Sequence, residues 1–436
     1  MNFFGIVFAL VNSALLLSLP RRWAALPLLL GSAYITRDQQ LVIGPVHLPM
    51  MRILIAAGLI RVAMNGERIS GGINSLDRIA RLWAIWNACS IVFHKAEFLV
   101  FRLGIFYDIV GFYYLFRVFI RGLEDVRALF KMLCVLLVPL AVTMLVEKLT
   151  GNNLLGLIGF GPADVEITNG HYRAQGPFSH PILAGTIGGV SLPLALCFWR
   201  ENRAVAITGI VAALAIVFAS GSSGPIITTL AGVAALTFWV LRRQVRTIRW
   251  LAVIGVMFLS LVMNDPVYYL VARIDITGGS TGYFRAKLIE SAIAHLSEWW
   301  FAGTDYTRHW MASGIEASAV HTDMTNYYIQ IGVWGGLALI VLFVWMLVVA
   351  FRRIGQALRA SRGAPSGRRF LIWGLGSSLF AHTVTFFSIS YFDQTIAFLC
   401  FLLACIASLP VLQKAPAQIQ GQGPLWRSAE QIAARS

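Results

Sequence analysis

Apolar runs of about bilayer length recur along the whole chain, and they limit its fold more than any other feature of the sequence. A transmembrane helix needs about 20 mainly apolar residues. In this chain 58% of the residues are hydrophobic and 13% are charged, whereas a soluble domain usually has about 25% charged residues. So few charges cannot cover a water-facing surface. The sequence therefore predicts an all-α, polytopic integral membrane protein.

We expect about twelve to thirteen transmembrane helices. The segment 23–36 is short enough to form a re-entrant element instead of a full span. The candidate spans are 3–19, 23–36, 49–64, 79–93, 98–116, 129–146, 181–199, 205–220, 225–241, 250–263, 326–351, 370–388 and 395–412.

Lysine and arginine concentrate in every second connection, which is the pattern of the positive-inside rule. This places the basic connections and the C-terminal tail in the cytoplasm and the N-terminus outside. The same rule accounts for the formal net charge of +15. Because the chain has no dense Lys/Arg run, RNA-binding signature or zinc finger, we expect no nucleic-acid partner. The basic connections are 21–22, 68–81, 117–131, 200–203, 242–249 and 352–369.

This topology divides the chain into six parts and leaves two long external loops. Long loops are where a membrane scaffold places its chemistry. All eight histidines also fall on the outer side or in the outer halves of spans. The parts are N-terminal transmembrane helices (1–146), a first external loop (147–180), central transmembrane helices (181–263), a second external loop (264–325), C-terminal transmembrane helices (326–412) and a disordered cytoplasmic tail (413–436).

The second external loop has a helical rhythm over residues 283–300. Its apolar side chains recur on one side, and a helix of this kind lies in the membrane interface or packs on the protein's own core. The apolar positions are Ala286, Ile289, Ile293, Leu296 and Trp300.

Three external residues suit transfer of a sugar from a lipid diphosphate. Arg173 and Arg285 offer planar forks of donors that match phosphate oxygens, although an isolated arginine such as Arg173 more often contacts a lipid headgroup or anchors its loop. His321 has the side chain that best takes a proton from a hydroxyl near neutral pH. Guanidinium groups can stabilise a diphosphate leaving group without a metal. We expect no metal and no cofactor, since no H-E-x-x-H, Walker loop or G-x-G-x-x-G motif occurs.

Several motifs within residues 147–351 resemble those of the O-antigen ligase and O-antigen polymerase superfamily of bacterial membrane glycosyltransferases. The segment 173–181, RAQGPFSHP, matches the pattern R-x-x-G-x-F-x-x-P, and 321–323, HTD, precedes a glycine-bearing helix with Gly332, Gly335 and Gly336. Segments 282–285 and 301–303 are similar to two further family regions. Thr322 and Gln330 stand where the commoner pattern has Asn and Glu.

The resemblance implies a metal-independent glycosyltransferase at the outer, periplasmic face of the bacterial inner membrane. Its donor would be an undecaprenyl-diphosphate-linked oligosaccharide, held by Arg173 and Arg285, and His321 would activate or position the hydroxyl of an acceptor glycan. Membrane lipids and a chain-length regulator are the further partners implied. The supporting residues would be His180, Asp305, Arg308 and Asp323.

The His-Thr-Asp variant favours an exopolysaccharide or O-antigen polymerase. An O-antigen ligase, which transfers polymer to lipid A core, and an oligosaccharyltransferase share its donor and differ in the acceptor. A transporter or flippase for a lipid-linked glycan is the rival from another class, and it would place ionisable residues near the bilayer midplane. Asp108 and His382 are the main residues of that kind predicted within spans.

Overall fold

The computed structural model describes residues 2–36, 38–44, 46–273, 282–311 and 318–410, and these residues are mostly helical. The predicted tail at 413–436 lies outside them. The α-helices are α1 (Phe3–Ser18), α2 (Ala25–Tyr34), α3 (Met50–Asn65), α4 (Ser75–Ser90), α5 (Ala96–Phe119), α6 (Leu123–Thr150), α7 (Leu154–Leu157), α8 (Pro181–Leu196), α9 (Arg203–Ser220), α10 (Ser223–Thr237), α11 (Val245–Val262), α12 (Gly282–Ala294), α13 (Leu296–Trp299), α14 (Tyr327–Ala360), α15 (Ser366–Thr385) and α16 (Gln394–Ala407).

Each predicted apolar span falls on a helix, namely α1–α6, α8–α11 and α14–α16. Some ends differ because polar residues extend a helix beyond its apolar run, while other helices, such as α8 and α10, end before their predicted spans do. Helix α6 starts at Leu123, before the predicted 129, and carries Glu124 and Asp125 in its first turn, where acidic side chains favour the helix dipole. It ends before Gly151, whose φ of 72° is the left-handed conformation that glycine adopts easily. The helical class is confirmed.

Within the described ranges, five helices are long and apolar enough to cross a membrane: α5, α6, α9, α11 and α14. Four more, α1, α8, α10 and α16, are apolar but shorter. Helix α11 has no buried residue along its 18 residues, although most of them are apolar. Exposing apolar surface to water costs about 25 cal/mol per Å². Such a helix fits a lipid environment, and the set fits a multi-pass membrane protein.

Two antiparallel hairpins interrupt this helical structure. Strands β1 (Gln40–Ile43) and β2 (Val46–Pro49) form the first, and β3 (Glu166–Thr168) and β4 (His171–Arg173) form the second. In the second hairpin Asn169 and Gly170 both have positive φ, 51° and 75°. An Asn-Gly pair between two short strands is a strong sequence signal for such a turn. The pairing sets Glu166 opposite Arg173.

The second external loop has a small core of its own, separate from the large core of the helix bundle. Helix α12 buries one face in it, and the first turns of α14 close it from the other side. This core therefore positions the loop against the bundle. Its members are Leu288, Ala292, Trp299, Trp310, Met324, Ile329 and Val333.

A helix forms where the rhythm of 283–300 predicts one, but only part of the predicted apolar side is buried: Ala286 is buried and Ile289 packs against the small core. Ile293, Leu296 and Trp300 are exposed, while Arg285 and Trp299 are buried. Leu288 and Ala292, one turn apart, form a second apolar face. The positions of the small-core partners decide which face is covered, and this brings the Arg285 face inwards.

Helix α14 is broken at Gly335 and Gly336, both of which have non-helical backbone angles. The turn at 300–304 fits into the break: the Leu337 amide donates to the Trp300 carbonyl (2.8 Å), and the Thr304 amide donates to the Val333 carbonyl (3.0 Å). Gly336 has a φ of 74°, and a Cβ there would lie 2.1 Å from the carbonyl oxygen of Phe301. No larger residue fits without moving the turn.

We predict that Gly336→Ala lowers the free energy of unfolding by about 3 kcal/mol, because the added methyl group meets backbone and the φ is strained. Thermal unfolding of the purified protein in detergent measures the effect. Gly363→Ala is the matched control, since no atom lies within 4 Å of the Cβ position there. Equal stability of the two variants would contradict the packing described for the break.

Candidate anion-binding cleft

A cleft of about 520 Å³ opens between the second hairpin, the α9–α10 turn, the start of α8 and the second external loop. We call it the anion cleft. It brings together residues from both predicted external loops, which are far apart in sequence. The lining residues are Lys148, Glu166, Thr168, Asn169, His171, Arg173, His180, Ile182, Gly221, Ser222, Ser223, Phe284, Arg285, Met311, Thr322, Asp323 and Thr325.

Positive charge exceeds negative charge in the cleft wall. Lys148, Arg173 and Arg285 face two carboxylates, Glu166 and Asp323. Two helix N-termini also open here, since the residues at the starts of α8 and α10 are part of the lining. The unpaired N–H groups and the dipole of a helix N-terminus attract anions. The cleft is therefore suited to an anionic ligand.

Arg173 is held firmly by the structure around it. Its guanidinium pairs with Glu166 across the hairpin, donates to the Ser222 hydroxyl (2.6 Å) and lies 3.4 Å from the Ser220 carbonyl oxygen. The Ser222 hydroxyl in turn donates to the Ser220 carbonyl (3.0 Å). Arg173 thus joins the hairpin to the α9–α10 turn, which is the anchoring role that its sequence left open, and it still lines the cleft.

His180 caps helix α8 with a fixed pattern of ring hydrogen bonds. Its Nδ1 accepts from the Ile182 amide (3.1 Å), and its Nε2 lies 3.3 Å from a carboxylate oxygen of Glu166. An Nδ1 that accepts leaves Nε2 as the protonated nitrogen of a neutral ring. Burial lowers the pKa of His180, Glu166 opposes this and Arg173 adds to it. His180 therefore orients Glu166 and is poorly placed to accept a proton itself.

Arg285 is the least compensated charge in the cleft. Its side chain is only 6% exposed, and its Nε has no hydrogen-bond partner among the described residues. Burial lowers the pKa of its guanidinium, and Asp323 opposes that shift. An arginine nevertheless stays charged in proteins. A buried charge without full pairing is costly, so this wall of the cleft is suited to an anion.

Asp323 faces the same cleft from the extended segment that leads into α14. Burial raises the pKa of its carboxyl above the usual range, and Arg285 opposes the rise. A carboxylate with a raised pKa is a better proton acceptor than an ordinary one. The cleft therefore combines an anion-binding wall with a basic group.

His321 is not among the residues that line the cleft. Its Nδ1 lies 3.3 Å from the Thr307 hydroxyl, and its ring packs 6.0 Å from the ring of Phe98. The same Thr307 hydroxyl accepts from the Thr322 amide (3.3 Å). Burial lowers the pKa of His321, with Arg102 adding and Asp305 opposing. The imidazole contacts Thr307 and so fixes the start of the segment 321–325, whereas Asp323 lines the cleft.

Asp305 and Arg308 have structural partners outside the cleft lining. Asp305 pairs with Arg102 and His94, each at 2.8 Å, and accepts from the Lys95 amide (2.9 Å). Burial raises the pKa of Asp305, but these partners outweigh it and hold the pKa below its usual value. Arg308 donates to the Met311 carbonyl (2.6 Å). Both residues shape the loop that carries the cleft residues.

Arg102, which no motif in the sequence marks, lies in α5 and is 8% exposed. It donates to the Trp334 carbonyl at the break in α14 (2.9 Å) and to the Thr304 carbonyl (3.2 Å). An isolated charged residue within an apolar run is the one signal that could have found it. Arg102 ties the bundle to the second external loop.

The two residues predicted within spans for a transporter have internal partners. Asp108 in α5 forms a salt bridge with Arg52 of α3 (3.0 Å). His382 in α15 is buried, and its Nδ1 lies 2.7 Å from the Tyr391 hydroxyl. Buried ionisable groups that are paired in this way hold helices together.

No protein-family model matches the chain, and no curated protein is significantly similar to it.

Removing the carboxylate from Asp305 leaves Arg102 buried without its counter-ion. We predict that Asp305→Asn lowers the free energy of unfolding by about 3 kcal/mol, measured by thermal unfolding in detergent. Glu124→Gln is the control, because Glu124 is 77% exposed and lies 3.6 Å from Arg127. Surface pairs of that kind contribute at most about 1 kcal/mol. Similar losses in both variants would show that the Arg102 pair does not hold the loop.

Proposed function

We propose that the protein transfers a glycan from an undecaprenyl-diphosphate-linked donor to an acceptor sugar hydroxyl, as an exopolysaccharide or O-antigen polymerase. The reaction would take place at the outer face of the bacterial inner membrane. The buried, incompletely paired Arg285 in a cationic cleft is the observation that carries this proposal. A diphosphate has the charge and the acceptor oxygens that such a wall lacks.

The apolar helices fit a protein that acts on a lipid-linked donor. Lipid-linked donors present their diphosphate at the membrane surface, while the carrier chain stays in the hydrocarbon. The described residues include five helices able to cross a membrane, and the alternation of basic connections favours an outward position for both external loops. We extend this to about thirteen spans, one for each apolar segment that forms a helix.

The leaving group of such a transfer is the lipid diphosphate. In the proposed mechanism Arg285 binds its oxygens and stabilises the negative charge that grows as the glycosidic bond breaks. Arg173 is held rigidly by Glu166 and Ser222, so it presents a fixed charge beside the same oxygens. The motifs at 173–181 and 321–323, which resemble those of the O-antigen superfamily, support this assignment.

The acceptor hydroxyl must lose a proton as it attacks the sugar. We assign this proton to Asp323, because its carboxyl faces the cleft beside Arg285 and has a raised pKa. His321 then positions the acceptor-binding segment through Thr307. The resemblance implied that His321 itself activates or positions the acceptor; this proposal keeps the positioning role for His321 and assigns the proton to Asp323.

We predict that Arg285→Ala weakens binding of undecaprenyl diphosphate by about 100-fold, because the buried guanidinium supplies charge-assisted hydrogen bonds that water cannot replace in the cleft. Binding to the full chain in nanodiscs is measured by thermophoresis. Lys287→Ala is the matched control, since Lys287 lies on the same helix and pairs at the surface with Glu290 (2.9 Å). Unchanged affinity in Arg285→Ala would exclude this residue as the diphosphate ligand.

The pH dependence of kcat/KM tests the assignment of the base. A base must be ionised to act, so activity falls as the pH drops through the pKa of Asp323, which burial places above the ordinary 3.8. We expect His321→Ala to lower kcat/KM but to keep this fall in activity at low pH, the acid limb of the profile. We expect Asp323→Glu to shift the pH at which the acid limb occurs. Loss of the limb in His321→Ala, with no shift in Asp323→Glu, would assign the proton to His321 instead.

The reaction itself is tested with lipid-diphosphate-linked oligosaccharide extracted from the host, and the products are read by mass spectrometry. We expect longer lipid-linked glycans from the wild-type protein and none from the Arg173→Ala and Asp323→Asn variants. Polymer that stays intact on its carrier until a lipid A core acceptor is added would indicate a ligase. Transfer of donor across proteoliposomes without any change in the glycan would indicate a transporter.

A further inference from the structure

A second cluster of chemically active side chains lies outside the anion cleft, on the second external loop. His295 follows α12, Glu298 is in α13, and His309 lies in the short helical turn at Arg308–Met311. One ligand atom from each residue can be chosen so that all three lie within 4.8 Å of one another. The Nε2 of His309 lies 2.9 Å from a carboxylate oxygen of Glu298.

Two of the three side chains, His295 and Glu298, are oriented by a hydrogen bond that leaves a metal-binding atom available. The Nδ1 of His295 lies 2.8 Å from the Ser291 carbonyl oxygen, and it must carry the proton there because a carbonyl only accepts. Its Nε2 then has a free lone pair. The indole N–H of Trp310 donates to the Glu298 carboxylate (3.0 Å). A backbone carbonyl behind a histidine and a donor behind a carboxylate are the usual outer contacts of metal ligands.

Aromatic rings fix both imidazoles as well. The ring of His295 stacks on Trp310 at 5.7 Å with an interplanar angle of 18°, and that of His309 stacks on Tyr306 at 5.0 Å and 13°. Trp310 belongs to the small core of the loop and is 5% exposed. The ligands are therefore attached to rigid supports although His309 and Glu298 are themselves partly exposed.

We propose that His295, Glu298 and His309 bind a zinc ion. Tetrahedral zinc with bonds of about 2.0–2.1 Å sets neighbouring ligand atoms about 3.3 Å apart, so modest side-chain rotations close the cluster around it. For His309 to bind through Nε2, the Nε2 proton that faces Glu298 moves to Nδ1, so the imidazole stays neutral and keeps one proton. Two imidazole nitrogens and one carboxylate suit zinc, whereas magnesium and calcium prefer oxygen ligands. Water fills the fourth position.

The zinc ion would cross-link the α12–α13 region to the turn at Arg308–Met311. Both are parts of the loop that contributes Arg285 and Asp323 to the anion cleft. Binding only to the folded loop stabilises it by mass action. The inference is independent of glycosyl transfer, because none of the three ligands lines the cleft.

Zinc titration of the full-length protein in nanodiscs, stripped of metal and free of any polyhistidine tag, tests the proposal. We expect the wild-type protein to bind one Zn²⁺ by calorimetry and one Co²⁺ with the visible absorption of a tetrahedral site. Glu298→Gln and His309→Ala should each bind Zn²⁺ about 100-fold more weakly, since each removes one ligand. Trp310→Phe, which keeps the ring and loses the donor to Glu298, should bind about tenfold more weakly.

His47→Ala is the matched control, because it removes an exposed histidine on β2, outside the cluster. It should bind Zn²⁺ as the wild-type protein does. Zinc should also raise the Tm of the wild-type protein and leave that of Glu298→Gln unchanged. Absence of saturable Zn²⁺ binding by the wild-type protein, or equal affinity in Glu298→Gln, His309→Ala and His47→Ala, would overturn the proposal.

Discussion

The buried ion pair between Arg102 and Asp305 joins the helix bundle to the second external loop. Arg102 belongs to the helix bundle and Asp305 to the second external loop, and their contact is 2.8 Å long. Arg102 also binds the Trp334 carbonyl, which the break in α14 frees from its helical partner. A carbonyl without a hydrogen bond and a charge without a partner both raise the free energy of the folded state in an apolar environment. The Arg102 guanidinium pairs with the charge and, together with the Ser90 hydroxyl, donates to the carbonyl.

The anion cleft depends on this placement. Its hairpin side is built locally, since the Asn169–Gly170 turn sets Glu166 opposite Arg173. Its other side, with Arg285 and Asp323, comes from a loop more than 100 residues further along the chain. The rigid, fully bonded Arg173 and the incompletely bonded Arg285 then have different properties. Arg173 maintains the shape of the cleft, and Arg285 remains able to bind a ligand.

Sequence reasoning located the helices well and the site residues in part. Apolar runs are dictated by burial in lipid or protein, so all predicted spans coincide with helices. Arg173, His180, Arg285 and Asp323 do line one cleft. His321 lies away from it, because its ring packs beside Phe98 and its Nδ1 lies 3.3 Å from the Thr307 hydroxyl. The second hairpin was predictable from its Asn-Gly pair, although a search for apolar spans does not detect it. The His295–Glu298–His309 cluster was not predictable, because the chain must turn back to bring His309 to the other two residues.

The sequence by itself determined the helical class, the apolar segments, the excess of positive charge and the residue types available for chemistry, because each is a property of composition or of local periodicity. Only the tertiary structure decided which side of α12 is buried and that Asp305 forms an ion pair with Arg102. It also decided that Arg285 and Asp323 line the same cleft as Arg173. Those outcomes depend on contacts between residues far apart in the chain. The break at Gly335–Gly336 and the small core around Trp299 and Trp310 fix them, and neither can be read from a local pattern of hydrophobicity.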